Sequence, residues 1–367
     1  MTISVLGGGQ LGRMLALAAY RLGERVVLLD PNPESCGGHV APLVVGRWED
    51  AGPLAELARR GDVVTFEFEN VPDAAARFLA DRVAVAPPPE ALAIAQDRLR
   101  EKQLFTQLNI PTPPYRAVDS HRGLQDAVAE IGLPAVLKTR RFGYDGKGQH
   151  VMRTLADVDA AWLALGATPL LLEAWVPFDF EVSAIAVRDR AGAVVRYPLI
   201  YNQHVDGILR ESRPGHPRVD EALSAAAATL IDRVLTHLDY VGALTLEFFV
   251  VNGALLVNEM APRVHNSGHY SIDGAQTSQF ENHVRAVLDL PLGGTETVMP
   301  CVMLNCIGGM PTLAALCALP GVRIHAYGKR GSPGRKIGHI TVVGATEAQL
   351  QERLVAARQL VDAATVV

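Results

Sequence analysis

From residue 138 to 149 the chain reads Lys-Thr-Arg-Arg-Phe-Gly-Tyr-Asp-Gly-Lys-Gly-Gln, three glycines set among four cations. Gly143, Gly146 and Gly148 let backbone N–H groups approach phosphate oxygens and take positive φ, while Lys138 and Lys147 place point charges on either side. That chemistry suits a clamp for a nucleoside triphosphate. A flexible basic surface loop has the same composition, so the company this stretch keeps must decide.

Glu247 and Glu259 lie on the two arms of an expected hairpin around Asn252-Gly253. Paired carboxylates beside a triphosphate loop are what Mg²⁺ needs, since it binds hard oxygen and neutralises phosphoryl charge. Strand parity makes this testable. A two-residue turn at Asn252-Gly253 pairs 247 with 258 and sends 259 to the opposite face. We therefore expect a three-residue loop ending in Gly253 with a glycine-based bulge, which returns both carboxylates to one side. A two-residue turn without a bulge would leave two glutamates on unrelated faces.

The second arm runs into Asn258-Glu259-Met260-Ala261-Pro262-Arg263-Val264-His265-Asn266-Ser267-Gly268-His269. Arg263 can grip a carboxylate or phosphate through its planar fork, and His265 and Asn266 offer further hydrogen bonds to a polar substrate. His265 and His269 lack a third ligand nearby, so ordinary hydrogen-bonded histidines are the alternative to a metal role. A second basic loop, Lys329-Arg330-Gly331-Ser332-Pro333-Gly334-Arg335-Lys336, suggests a second phosphate, or else a solvated turn. Gly7-Gly8-Gly9-Gln10-Leu11-Gly12 matches GxGxxG at the first strand-to-helix turn, and Asp30 ends the second strand at the spacing of a nicotinamide-dinucleotide site. The same turn suits any small anion or polar ligand at a helix N-terminus.

These residues need scaffolds. Strands at Ile3–Gly7, Arg25–Asp30, Asp62–Phe66 and Val83–Ala86 alternate with helices near Leu11–Leu22, Pro53–Arg60 and Asp73–Asp81, the pattern of a parallel sheet. Pro87-Pro88-Pro89 closes that unit, and a helix from about Asp97 to Leu108 starts another. A small α/β lobe follows from about 115 to 172, with a hinge at Glu173-Ala174-Trp175-Val176-Pro177. From Glu181 the pattern becomes antiparallel. A last module from about Met299 has strands Met299–Cys306, Val322–Tyr327 and Ile337–Val343 and a closing helix from Thr346 to about Leu360.

A chain of 367 residues implies two or three domains. With 49% hydrophobic residues and no apolar run near the ~18 residues of a membrane helix, a soluble protein is expected. The first strand begins at once, so export is not expected and a cytoplasmic address is. Cys36, Cys301, Cys306 and Cys317 fit neither a metal motif nor a disulfide framework, and buried free thiols are expected. The net charge of -5 argues against a general nucleic-acid or membrane surface, so anionic ligands need a local basic focus.

Taken together, Gly7–Arg13, Thr65-Phe66-Glu67-Phe68-Glu69-Asn70, Phe142–Gln149, Asn258–His269 and Tyr327-Gly328-Lys329 with Gly334-Arg335-Lys336-Ile337-Gly338-His339 resemble the ATP-grasp carboxylate–amine ligases, over essentially the whole chain. Within them the match is to the branch that carboxylates 5-aminoimidazole ribonucleotide. The resemblance implies an α/β and α+β, ATP-grasp architecture: a Rossmann-like pre-ATP-grasp sheet over 1–96, a two-lobed ATP-grasp domain over 97–298 (lobes about 115–172 and 173–298) and a β-rich C-terminal module over 299–367. It implies that ATP meets Arg98, Lys138, Gly143, Tyr144, Asp145, Gly146, Lys147, Gly148, Gln149, Glu173, Ala174, Trp175, Val176, Glu181, His204, Asn258 and Glu259, with Mg²⁺ on Glu247 and Glu259. Many relatives carry Asn two residues after the second glutamate, where this chain has Ala261 and places Asn258 before it.

The implied reaction carboxylates the exocyclic amine of 5-aminoimidazole ribonucleotide with bicarbonate and ATP, through carboxyphosphate. Asp145 resembles the residue that bonds the amine. Arg263, His265 and Asn266 match the bicarbonate region, and Lys336 completes the candidate catalytic set. Gln10, Leu11, Glu67, Tyr144, Lys329 and Arg335 would hold the ribonucleotide, so the first glycine turn serves this substrate and not a dinucleotide. A homodimer is implied, with small molecules as the other partners. The alternatives are a sibling ligase using glycinamide ribonucleotide and formate, and a nucleotide-binding regulator without turnover.

Overall fold

The computed structural model describes residues 1–143 and 147–366. Its first unit is a parallel sheet of β1 (Thr2–Leu6), β2 (Arg25–Asp30), β3 (Leu43–Val45), β4 (Val63–Phe66) and β5 (Ala84–Val85), with α1 (Gln10–Arg21), α2 (Ala51–Arg60) and α3 (Asp73–Ala80) as crossovers. The order is β3-β2-β1-β4-β5. Strands buried on both faces read as apolar runs, which is why Val26–Leu29 and Val63–Phe66 are legible. β3, Leu-Val-Val, is apolar too but only three residues long with one of them buried, and it is absent from the sequence reading.

After α4 (Pro89–Ala95) and α5 (Arg98–Gln107), the small lobe pairs β6 (Tyr115–Val118), β7 (Ala135–Thr139), β8 (Gln149–Met152) and β9 (Leu170–Ala174) under α6 (His121–Ile131) and α7 (Asp157–Leu165). It packs a core of its own around Leu124, Leu137, Leu170 and Leu172. Glu173 and Ala174, expected in a hinge, end β9, where Glu173 pairs with Tyr115 and Val136.

The large lobe holds β10 (Phe180–Arg188), β11 (Val194–Arg196), β12 (Ile200–Val205), β13 (Ile208–Pro214), α8 (Glu221–His237), β14 (Gly242–Val251), β15 (Ala254–Ala261), the short α9 (Ser271–Gly274) and α10 (Gln279–Val287). β16 (Cys301–Ile307), α11 (Leu313–Cys317), β17 (Val322–Ala326), β18 (Lys336–Val343) and α12 (Glu347–Ala364) complete the chain. The last three strands do not form a sheet apart. β16 pairs with β13, giving one sheet in the order β15-β14-β10-β12-β13-β16-β18-β17, with β11 beside β10. A buried core cluster joins α1 and β1 to α10 and β16, so the first sheet and the large lobe share an interior. Three cysteines are buried as expected, but Cys317 is exposed because it ends α11 on its solvent side.

The hairpin corrects the expected loop. Val251 pairs with Ala254, so the turn has two residues, Asn252 and Gly253, both at positive φ (50° and 76°), as a primed turn requires. The bulge lies further along. The register steps from Phe248↔Val257 to Glu247↔Glu259, leaving Asn258 without a ladder partner, and the two glutamates face each other directly. Parity demanded one extra residue, and the chain supplies it at Asn258 and not at Gly253.

Candidate active site

One cleft of about 1030 Å³ lies where the first sheet, both lobes and the C-terminal strands meet. Its volume is at the upper end of the range for ligand pockets, about 300–1,000 Å³. Every described candidate site residue lines it except Gly148. Gly148 sits behind the wall with φ 71°, and a Cβ there would stand 2.6 Å from Thr139 Oγ1. Tyr144, Asp145 and Gly146 fall outside the described residues.

At the first wall, the glycine turn is already filled. Glu67, just past β4, accepts the N–H groups of Gly9 at 2.9 Å and of Leu11 and Gly12 at 3.1 Å, while Asp30 accepts that of Gly8 at 2.8 Å. A Cβ on Gly7 (φ 103°) would stand 2.6 Å from Glu67 Cγ, so glycine is needed for the carboxylate to approach. Burial raises the Glu67 carboxyl, against the pull of these N–H bonds. The donors that would hold a dinucleotide pyrophosphate are thus taken from within. What remains exposed to the cleft is polar: Lys329 donates to the Gln10 amide oxygen, and Arg335 and Lys336 stand on the same wall.

The second wall carries cations, each held by a carboxylate. Lys138 Nζ lies 2.6 Å from Glu173 Oε2, and Lys102 Nζ 3.3 Å from Oε1. Burial works to raise Glu173, but the two lysines outweigh it and bring its pKa down to about 2. Glu173 therefore anchors Lys138 with its side chain. Arg98 donates to Glu259 at 3.1 Å and to the Gly143 carbonyl at 3.4 Å, tying the large lobe to the glycine stretch. Arg140 makes two bonds to Asp97, at 3.0 and 2.7 Å, and Asp97 also caps α5. Ala174, Trp175 and Val176 continue this wall beyond Glu173, with Lys147 and Gln149 opposite.

Glu247 and Glu259 occupy the floor. His265 Nε2 is 2.8 Å from Glu247, and its Nδ1 meets Ser267 Oγ at 2.9 Å, so both ring nitrogens are engaged. Burial would raise Glu247, yet His265, with His204 and Lys336, brings it down to about 2. His204 Nδ1 is 2.7 Å from Glu181. Arg263 is clamped between the Glu69 carboxylate and the Val264 carbonyl. Asn266 exchanges two bonds with Asn305, at 3.0 and 2.7 Å. His269 is buried against Gln279 and pushed well below its ordinary pKa by burial, the structural alternative to a metal ligand. Among the described residues no cluster of three or more His, Cys, Asp or Glu could hold a metal ion, so an ion here would need substrate oxygens as well.

Glu69 was legible only as a motif member without a role, and three residues went unnamed: Glu101 in the cleft wall, and Lys102 and Asn305 buried behind it. Burial and the neighbouring Glu259 push Glu101 up to about 8. One signal was present. On α5, residues 101, 102, 104 and 105 form the buried stripe, so two ionisable residues occupy positions where a helix of this kind carries apolar side chains.

Family models match three stretches: a ribonucleotide synthetase preATP-grasp domain over residues 1–96, an ATP-grasp domain over 103–280 and a phosphoribosylaminoimidazole carboxylase C-terminal domain over 301–353. The N5-carboxyaminoimidazole ribonucleotide synthase of Pseudomonas aeruginosa is 50% identical over 365 residues, 99% of this chain and 100% of that one. The crystal structure of the Thermus thermophilus synthetase superposes with a TM-score of 0.94 at 51% identity, covering 98% of both chains. An Aspergillus clavatus synthase in complex with ADP and 5-aminoimidazole ribonucleotide gives 0.91 at 31% identity, covering 99% and 98%.

Proposed function

The chain belongs to the N5-carboxyaminoimidazole ribonucleotide synthases, and from that premise we propose how its residues divide the work. It is an ATP-grasp ligase of purine biosynthesis that carboxylates the exocyclic amine of 5-aminoimidazole ribonucleotide at the expense of ATP and bicarbonate. The observation that carries the assignment of roles is the direct opposition of Glu247 and Glu259 beneath Lys138 and Arg98, in a cleft whose far wall is the closed glycine turn.

Lys138, fixed by Glu173, and Arg98 receive the ATP phosphates, together with the glycine stretch Gly143–Gln149. Glu173 to Val176 line the adenine end, while Glu181, hydrogen-bonded to His204, meets the ribose. Mg²⁺ fits the floor: two opposed hard-oxygen donors, one of them held ionised, match an ion that takes one or two carboxylates plus substrate phosphates. Glu247 and Glu259 would hold it, with Asn258 adjacent, and it would neutralise charge on the phosphoryl oxygens.

Bicarbonate oxygen attacks the γ-phosphorus, ADP departs, and the carboxyphosphate formed passes its carboxyl, directly or as CO₂, to the amine, which loses a proton as inorganic phosphate is released. Arg263 and Asn266 orient the bicarbonate; both are immobilised, by Glu69 and Asn305, so little freedom is lost when the anion arrives. His265 acts through Glu247, which it holds ionised. Gln10, Leu11, Glu67, Lys329, Arg335 and Lys336 form the ribonucleotide wall, and Tyr144 and Asp145 are assigned to the same substrate. The same reading takes the protein to be a cytoplasmic homodimer. No helix among the described residues is long and apolar enough to cross a membrane.

The test is initial ADP release with Mg²⁺-ATP and isotopically labelled bicarbonate. Strong stimulation by 5-aminoimidazole ribonucleotide, with label in the product, is expected. Stimulation only by glycinamide ribonucleotide with formate would overturn the substrate while keeping the phosphate and metal assignments.

A further inference from the structure

Two ionisable residues of α5, Glu101 in the cleft wall and Lys102 buried behind it, touch no substrate in the reaction as described. Glu101 and Lys102 are consecutive in α5 and only 2% and 1% exposed. Burying charge is expensive unless it is paired and hydrogen-bonded, so their partners reveal their use. Both bond to the backbone of β15. Lys102 Nζ donates to the Asn258 carbonyl at 2.8 Å and to the Val257 carbonyl at 3.4 Å, besides Thr112 Oγ1 at 2.9 Å, and its charge is paired with Glu173 Oε1 at 3.3 Å. Glu101 Oε1 accepts the Met260 N–H at 2.6 Å. The Asn258 carbonyl and the Met260 N–H stand immediately before and after Glu259.

β15 is an edge strand, and its outer edge is covered by α5 and by Pro111, whose carbonyl accepts the Val257 N–H at 2.7 Å. A bulge leaves backbone groups without ladder partners, and such groups cannot stay unsatisfied when buried. Here the bulge residue is Asn258, and without it Glu259 would point to the far side of the sheet. A carbonyl needs a donor and an N–H needs an acceptor. The Glu-Lys pair supplies one of each on the same helical turn.

We propose that Glu101 and Lys102 are positioning residues: by bonding the backbone groups on either side of Glu259 they hold the bulge at Asn258, and with it the register that sets Glu259 opposite Glu247. The inference rests on the reading of Glu247 and Glu259 as the magnesium pair. It is tested on the full chain by calorimetric binding of a non-hydrolysable ATP analogue at increasing Mg²⁺. In Glu101→Leu, which has no acceptor for the Met260 N–H, the half-saturating Mg²⁺ concentration should rise roughly 10–100-fold, the scale on which losing an orienting partner weakens a metal site. Affinity for the analogue without Mg²⁺ should hold, and Glu101→Gln, which keeps an amide oxygen, should recover most of the loss.

Glu259→Gln in parallel separates the two layers. If it loses the Mg²⁺ dependence while Glu101→Leu keeps that of the wild type, the positioning role alone is overturned. If both keep it, the magnesium reading falls and the positioning role with it. Should Glu101→Leu fail to fold, amide exchange in the unaltered protein decides: the Met260 N–H should exchange as slowly as the ladder amides of β14, and exchange as fast as the Asn252-Gly253 turn would overturn the proposal.

Discussion

The turn Gly7–Gly12 and the stretch Lys138–Gln149 are both glycine-rich, both follow a strand and both open onto one cleft, but their hydrogen-bonding groups are spent differently. In the first, three backbone N–H groups already converge on Glu67. In the second, Thr139 and Gly148 close the base of the loop, and the charges around it are cations braced by Glu173, Asp97 and Glu259. Glycine reports how closely something approaches the backbone. Whether that is a carboxylate of the same chain or a phosphate from solution depends on residues far away in sequence.

Removing a charge from the second region is the strongest way to break this contrast. Glu259→Gln should reduce turnover about 10³-fold or more, as expected when charge stabilisation at a phosphoryl group is lost. Binding of 5-aminoimidazole ribonucleotide, measured by calorimetry, should stay within severalfold. Full turnover in this variant would remove Glu259 from the metal site.

A smaller effect concerns the Glu181–His204 pair. Burial opposes the charged imidazole, but the bond to Glu181 and the charge of Glu247 outweigh it, so the pKa of His204 lies above its ordinary value. A raised folded pKa means the folded protein binds the proton more tightly. The stabilisation is then complete below the ordinary histidine value of about 6.5 and is lost as pH rises through the folded value. The melting-temperature deficit of His204→Gln should therefore be largest near pH 6 and shrink on going alkaline, corresponding to about 1 kcal/mol or less for a partly exposed pair. A deficit that grows with pH would show that the neutral imidazole makes the stabilising contact.

Much of this was readable in the chain. The alternation of apolar runs and helical stripes gave the first sheet, the antiparallel arms and the closing helix, because each is a local pattern. Strand parity demanded a bulge between Glu247 and Glu259, yet its position at Asn258 depends on α5, more than 150 residues away. Glu67 was legible as part of a motif, but its filling of the helix N-terminus was not, since nothing at positions 7–12 records which side chain arrives. The same holds for Asn305: an asparagine in a buried strand gives no sign that Asn266 is its partner. The pairing of β16 with β13 joins strands far apart in the chain, and the local pattern of neither records that they share a sheet.

The division of the two anionic substrates between the two turns is tested most directly by steady-state ADP release in Lys138→Ala and Glu67→Gln, each with ATP and then 5-aminoimidazole ribonucleotide as the varied substrate. A crossed pattern is predicted, in which Lys138→Ala raises KM for ATP alone and Glu67→Gln raises it for the ribonucleotide alone. Both variants acting on the same substrate, or Glu67→Gln acting on ATP, would contradict it.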